Sequence, residues 1–168
     1  TNCLDYLGQM DSVDWIFLDP ARRDKNGGKV VAIRDCEPDV EALEETLLKK
    51  GKHVMIKLSP MLDIALTLNT LKHISQVHVI AVNGECKELL LILEREITPH
   101  DRVRINTINL QKEEQEFSFS MEEEEHAICE YAKPEGYLYE PNAAVIKAGG
   151  FKSLCARYAV KKLHPNSH

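Results

Sequence analysis

Several features that would define a class of protein are absent from this sequence or scarce in it. Its five cysteines are odd in number and form no Cys-x-x-Cys pair. This argues against a disulfide framework or a zinc site and favours the reduced thiols of a cytosolic protein. No apolar run approaches the roughly 20 residues that span a bilayer, and the seven histidines lack metal-ligand spacing. We therefore predict a cytoplasmic protein without a membrane segment or a bound metal.

Basic residues are outnumbered by acidic ones, and they are unevenly distributed along the chain. The net charge of −6 makes the whole chain a poor general binder of polyanions. Residues 111–132 are rich in glutamate and contain one basic residue, Lys112, whereas the residues after 132 are mainly basic. We therefore expect any contact with nucleic acid to lie in the tail or around Arg22 and Arg23.

The first 71 residues alternate between strand and helix patterns. The apolar runs at 14–19 and 53–60 are typical of strands that are buried on both faces of a parallel sheet. Apolar residues at helical spacing predict a helix from Glu37-Pro38 to Gly51 and another over 63–71. This order predicts an α/β fold.

Two pairs of strands follow. Residues 76–82 and 88–95 are joined by a link too short for a parallel crossover, so these strands should pair antiparallel. Residues 102–110 and 114–121 alternate apolar and polar side chains, which predicts a hairpin with one wet face.

The remaining chain has helical patterns. The acid-rich segment 122–132 predicts a helix with acids in its first turn, where they are favourable. Asn142 is expected to cap a short helix that ends at Gly149-Gly150, and residues 151–162 carry apolar side chains at helical spacing.

The sharpest motif is Asp19-Pro20-Ala21-Arg22-Arg23. Its acid is the last residue of a predicted buried strand, and ligands bind at the carboxyl ends of strands in open α/β sheets. Proline fixes φ and removes a donor, so the chain turns rigidly there and its carbonyl can face a pocket. The arginines can hold a phosphate or carboxylate through bidentate bonds, or they can be surface charges paired with Asp24.

The stretch DWIFLDPARRD resembles motif IV of class I S-adenosyl-L-methionine (SAM)-dependent methyltransferases, near the Asp-Pro-Pro-Arg versions in several RNA methyltransferases. The resemblance implies a Rossmann-like fold, SAM as the cofactor, and Asp19 and Pro20 as catalytic residues. In amino-methylating members the motif continues with a second proline and an aromatic residue. Ala21 and Arg22 stand there instead, which puts methylation of an adenine amine in doubt.

Further site residues follow from the same resemblance. It places Ser59 and Pro60 on the substrate side of the pocket, although a plain strand-to-helix turn explains them somewhat better. Asn2, with Asp5 as the alternative, corresponds to the acid that contacts the adenine of SAM. Lys57 can point toward the same edge, although a lysine whose ammonium simply reaches solvent is the usual arrangement.

The tail after Gly136 resembles the THUMP-like domain that follows this methyltransferase half in a group of bacterial proteins, with a small ferredoxin-like region in between. We therefore predict a methyltransferase half over 1–97, a ferredoxin-like region over 98–132 and a THUMP-like region over 133–168. THUMP domains bind structured RNA, so the tail's basic residues are candidate RNA contacts or a solvated helix face: Lys147, Lys152, Arg157, Lys161 and Lys162.

Two elements of a Rossmann-type cofactor site are missing: a glycine-rich turn after a first strand and an acid at the end of the second strand. We therefore expect the natural protein to be longer, and this chain alone not to bind SAM. The leading hypothesis is a SAM-dependent methyltransferase that acts on RNA, either tRNA or rRNA. The alternatives are a non-catalytic RNA-binding or scaffolding protein on a degenerate methyltransferase fold, and a methyltransferase for a protein or small molecule.

Overall fold

A computed structural model describes residues 3–22, without the side chain of Arg22, and residues 33–167. Two short 3-10 turns, Ile33–Asp35 and His100–Arg102, accompany the regular elements. The helices and strands are, in chain order, α1 (Cys3–Gln9), β1 (Val13–Leu18), β2 (Ala21–Arg22), β3 (Cys36–Glu37), α2 (Val40–Lys50), β4 (Gly51–Leu58), α3 (Ile64–Thr70), β5 (Ile74–Val82), β6 (Glu85–Glu94), β7 (Arg104–Leu110), β8 (Gln115–Ser120), α4 (Met121–His126), α5 (Ala143–Ala148) and α6 (Phe151–Tyr158).

Six strands form one sheet in the order β1-β4-β6-β5-β7-β8. β1 is parallel to β4, and β6 lies antiparallel between β4 and β5. The predicted antiparallel pairing of the strands at 76–82 and 88–95 is therefore confirmed. The fold class is also confirmed: this is the second half of a Rossmann-like sheet with an antiparallel last strand, followed by a small α+β region.

Alternation along the strands separates a buried face of the sheet from a more open one. In β4, Val54, Ile56 and Leu58 are buried, whereas the side chains between them are only half-buried. The buried face joins one continuous core with the apolar sides of the helices, including Leu47 of α2 and Ala144 of α5. Burial of this apolar surface is the main force that holds the helices on the sheet.

Side-chain caps explain where three of the helices begin. Asp39, Asp63 and Asn142 precede α2, α3 and α5, and each accepts a hydrogen bond from a backbone N–H in the first turn. Such caps satisfy donors that have no partner within the helix. The predicted cap at Asn142 is confirmed.

The sheet continues beyond the predicted boundary at residues 97 and 98. β7 pairs parallel with β5, and β8 pairs antiparallel with β7 as the predicted hairpin. The division of the chain at 97/98 and 132/133 stays a prediction, and the structure adds that strands on the far side of the first boundary complete the sheet.

Two helices end well before their patterns predict. α4 ends at His126 rather than Ala132, because residues 130–132 run beside the tail, where Ala132 N–H donates to the Lys162 carbonyl at 3.0 Å. α6 ends at Tyr158, where Ala159 takes a left-handed conformation. In each case a contact or turn outside the helix overrides the local helical pattern. None of the helices in the described part of the chain is long and apolar enough to cross a membrane.

Candidate functional site

The candidate site lies where β1 and β4 end side by side. The two strands are parallel, with Leu18 opposite Ile56, so the residues that follow them meet at one edge of the sheet. Asp19 follows β1 and is exposed, whereas Pro20 directly after it is buried. The packed proline therefore holds the carboxylate outward at the edge that the sequence predicted.

Lys57, whose direction the sequence left undecided, lies at the same edge as Asp19. Lys57, near the end of β4, places its Nζ atom 2.7 Å from Asp19 Oδ2 and 3.9 Å from Glu88 Oε2. The pKa of its ammonium is raised, first by the hydrogen bond to Asp19 and further by the charge of Glu88, against an opposing effect of desolvation. Lys57 is therefore charged at neutral pH, and it bridges two carboxylates from different strands.

Glu88 is the residue that sequence reasoning missed. It belongs to β6, which runs antiparallel to β4, so the beginning of β6 lies at the same edge as the end of β4. The predicted hairpin pairs β6 with β5 and does not place β6 beside β4, so the sequence carried no local signal for Glu88.

Ser59 and Pro60 lie in the turn that leaves β4. The Ser59 hydroxyl accepts a hydrogen bond from Met61 N–H at 3.3 Å, and the Ser59 carbonyl accepts one from Leu62 N–H at 3.1 Å. The Leu62 carbonyl in turn accepts a hydrogen bond from Lys147 Nζ at 2.7 Å. Ser59 thus shapes its own turn, and α5 of the tail is tied to the loop beside the candidate site.

The other predicted ligand residues are only partly placed. Asp5 is exposed in the first turn of α1, whose Leu7 packs into the main core. Asn2, Arg23 and the Arg22 side chain lie outside the described residues. Their roles in binding a cofactor or a phosphate stay predictions.

Most of the predicted RNA-binding residues already have partners within the chain. Lys152 Nζ donates to the Glu125 carbonyl at 2.6 Å, and Lys161 lies 3.2 Å from a Glu130 carboxylate oxygen. Lys162 donates to a backbone carbonyl and sits over the Phe151 ring, 5.4 Å from its centroid. Arg157 is exposed on α6. An RNA phosphate would have to compete with these contacts, and RNA binding by the cluster stays a prediction.

The glutamate run at 122–125 has local structural roles. Glu123 forms a reciprocal capping box with Ser120, and both of its carboxylate oxygens accept hydrogen bonds from Nη1 of Arg104. Glu124 accepts hydrogen bonds from the backbone N–H groups of Lys152 and Ser153, both at 2.8 Å. These glutamates therefore stabilise the beginnings of α4 and α6.

The cysteines with perturbed acidity are poor nucleophiles. Burial raises the pKa of Cys86 and raises that of Cys155 to about 11, where a hydrogen bond with Cys129 adds to the effect. Since the thiolate is the reactive form, these two groups are protonated and unreactive at neutral pH.

Among the cavities in the described part of the chain, two of similar volume lie away from the Asp19 edge. One, of about 320 Å³, is in the tail between Tyr139 and Phe151. The other, of about 330 Å³, lies between α1 and β1 and is lined by Trp15, Phe17 and Leu43. Neither lining includes Asp19 or Lys57.

Comparisons with known proteins place this geometry in context. The chain is similar to a crystal structure from Porphyromonas gingivalis W83 that is provisionally named a methyltransferase, with 43% sequence identity and a TM-score of 0.85. The match covers 92% of this chain and 38% of that one, so this chain spans well under half of that structure's length. Residues 137–168 match the model of a ferredoxin-like domain family. No curated protein matches the sequence.

The ferredoxin-like match falls on the tail rather than on residues 98–132. It occupies the segment that the sequence predicted to be THUMP-like, and that assignment stays a prediction. A ferredoxin-like region is thus present, at a position later in the chain than expected.

Proposed function

We propose that this chain is part of a SAM-dependent methyltransferase that acts on RNA. The observation that carries the proposal is the rigid Asp19-Pro20 turn at the carboxyl end of β1, beside a β4-β6-β5 arrangement with the antiparallel strand in the middle. Ligands of open α/β sheets bind at this edge. The likeness to a chain provisionally named a methyltransferase supports the same activity.

The described residues suit the acceptor side of a methyl-transfer site. SAM, when bound, supplies an electrophilic methyl group. The Asp19 carboxylate can accept a hydrogen bond from the donor group that is to be methylated, and the Pro20 carbonyl can accept a second one. Holding the nucleophile in line in this way supplies much of the rate, because a correctly oriented reactant reacts as if it were present at very high concentration.

The basic residues supply the second half of the proposal. Arg22 and Arg23 follow the acid after Pro20 and Ala21, and arginine binds phosphate through two parallel hydrogen bonds. In this role they would hold the backbone of the RNA next to the acceptor group. The tail would add contacts through Arg157, which is exposed, and through lysines that exchange their present partners for phosphate.

The first test is calorimetric titration of SAM into the natural protein, followed by transfer of a radiolabelled methyl group to bulk tRNA and rRNA. We expect Asp19→Asn to lower transfer by about 100-fold, as a misplaced acceptor does. Asp14→Asn is the matched control, since Asp14 is an exposed acid at the other end of β1 that pairs with Lys52 at 2.6 Å. Failure of the natural protein to bind SAM would contradict the catalytic proposal and favour a degenerate fold used for recognition.

A second measurement separates RNA from other substrates. The affinity for bulk tRNA should fall steeply as salt concentration rises, because each neutralised phosphate releases counterions. Methyl transfer to protein or to small molecules combined with a shallow salt dependence would exclude RNA as the substrate.

A further inference from the structure

We propose that Lys57 is a positioning residue of the candidate site, and that it holds the Asp19 carboxylate in place together with Glu88. The inference rests on the proposed function for its catalytic consequence. Its geometric basis is separate, because it comes from the register of three strands.

The register brings the three residues together on one face of the sheet. Leu18 is opposite Ile56, so the next residues along the parallel pair, Asp19 and Lys57, are neighbours. Lys57 is opposite Leu90 of β6, and Glu88 lies two residues from Leu90 on the same face. Side chains at such direct and diagonal positions are within reach of one another, which agrees with the distances of 2.7 and 3.9 Å.

The surroundings of Lys57 restrict where its ammonium can go. The residues on either side of it, Ile56 and Leu58, are buried in the core and fix the strand. The Lys57 side chain itself is 32% exposed, compared with 69% for Lys52 at the other end of the same strand. Much of the Lys57 stem is therefore packed, and its charged end lies at the edge with Asp19 and Glu88.

The arrangement has a chemical consequence for Asp19. Lys57 occupies Oδ2 of the carboxylate, which leaves Oδ1 to accept a hydrogen bond from a substrate. Without the ammonium, Asp19 and Glu88 would be like charges on the same side of one edge, which is unfavourable. Lys57 thus offsets the repulsion between the two carboxylates and fixes which oxygen of Asp19 is available.

The test compares three variants of the natural protein in methyl transfer to bulk tRNA and rRNA. Lys57→Met should lower the transfer rate at least about 10-fold and leave SAM affinity unchanged, whereas Lys57→Arg should restore most of the rate because it keeps the charge. Lys52→Met is the matched control, since it removes an equally short ion pair between β4 and β1 at 2.6 Å. Equal rates for Lys57→Met and Lys52→Met would overturn the proposal.

A second readout keeps this inference separate from the proposed function. In the natural protein with labelled lysines, the NMR signal of Lys57 is assigned by its loss in Lys57→Arg. The pKa that this signal reports should lie above the usual lysine range, and it should be lower in Asp19→Asn than in wild type. If wild type transfers no methyl group but Lys57 titrates in this way, the proposed function fails and the positioning of Asp19 stands. If the pKa of Lys57 is that of an ordinary lysine and is the same in Asp19→Asn as in wild type, the positioning role is overturned whatever the activity.

Discussion

Among the described residues, the two edge strands of the sheet, β1 and β8, have opposite characters. On β1, Trp15 and Phe17 are 54% and 60% exposed. On β8 both phenylalanines, Phe117 and Phe119, point toward the core, and Phe119 is 1% exposed. The outward positions of β8 hold polar residues. One edge therefore presents aromatic surface to its surroundings, and the other hides it.

The difference lies in how each edge strand is covered by the rest of the chain. β8 passes directly into α4 through the capping box at Ser120 and Glu123, and the tail packs closely over its Phe119 ring at Gly150. Such charged and covered edges resist pairing with other chains. β1 has apolar side chains on both of its faces, which is the character of an interior strand of a parallel sheet. The candidate site is at the end of this unprotected strand.

The largest expected effect comes from truncating one phenylalanine at each edge. Phe119→Ala should lower the free energy of unfolding by about 3–5 kcal/mol, because it leaves a cavity in a packed core. Phe17→Ala should lower it by less than about 1 kcal/mol, since most of that ring is already in contact with solvent. Urea unfolding of both variants measures the difference. Similar losses for both would mean that β1 is as well covered as β8.

The close packing at Gly150 gives the next effect. A Cβ atom added there would lie 2.5 Å from the Phe119 ring, so Gly150→Ala should cost about 1–3 kcal/mol through overpacking. Gly8→Ala is the control, because a Cβ at this position in α1 has open space. That change should be neutral or stabilising by about 0.5–1 kcal/mol. If Gly150→Ala unfolds at the same urea concentration as wild type, Gly150 is not closely packed against the Phe119 ring of β8.

Local patterns predicted most of the fold. Apolar spacing gave the strands and helices in order, the short link at Asn83 and Gly84 gave the antiparallel hairpin, and Asn142 gave the beginning of α5. The position of β7 beside β5 was beyond reach, because strand order depends on contacts between distant residues that one sequence does not reveal. The same limit explains why α4 proved shorter than its pattern.

The residues of the candidate site likewise fall into those with a local sequence signature and those that depend on strand order. Asp19 and Pro20 carry a local signature, and the structure places them at the expected edge. Lys57 and Glu88 acquire a shared role only through the register of β4 with its two neighbours. A lysine inside a strand and a glutamate near a turn are ordinary surface residues until that register is known, so the chemistry of the pair could not be read from spacing.

The smallest effect on stability should accompany a clear effect on association. Phe17→Thr keeps good strand propensity and should change the free energy of unfolding by no more than about 0.5 kcal/mol, as exposed substitutions usually do. It also removes apolar surface from an edge strand, and such surface is where chains pair. Sedimentation velocity at increasing concentration should therefore show weaker self-association than wild type. Glu116→Thr places the same residue on the outward side of β8, where Glu116 is exposed, and should not weaken association. If Phe17→Thr leaves self-association unchanged while the fold is intact, the chain does not self-associate through the aromatic surface of β1.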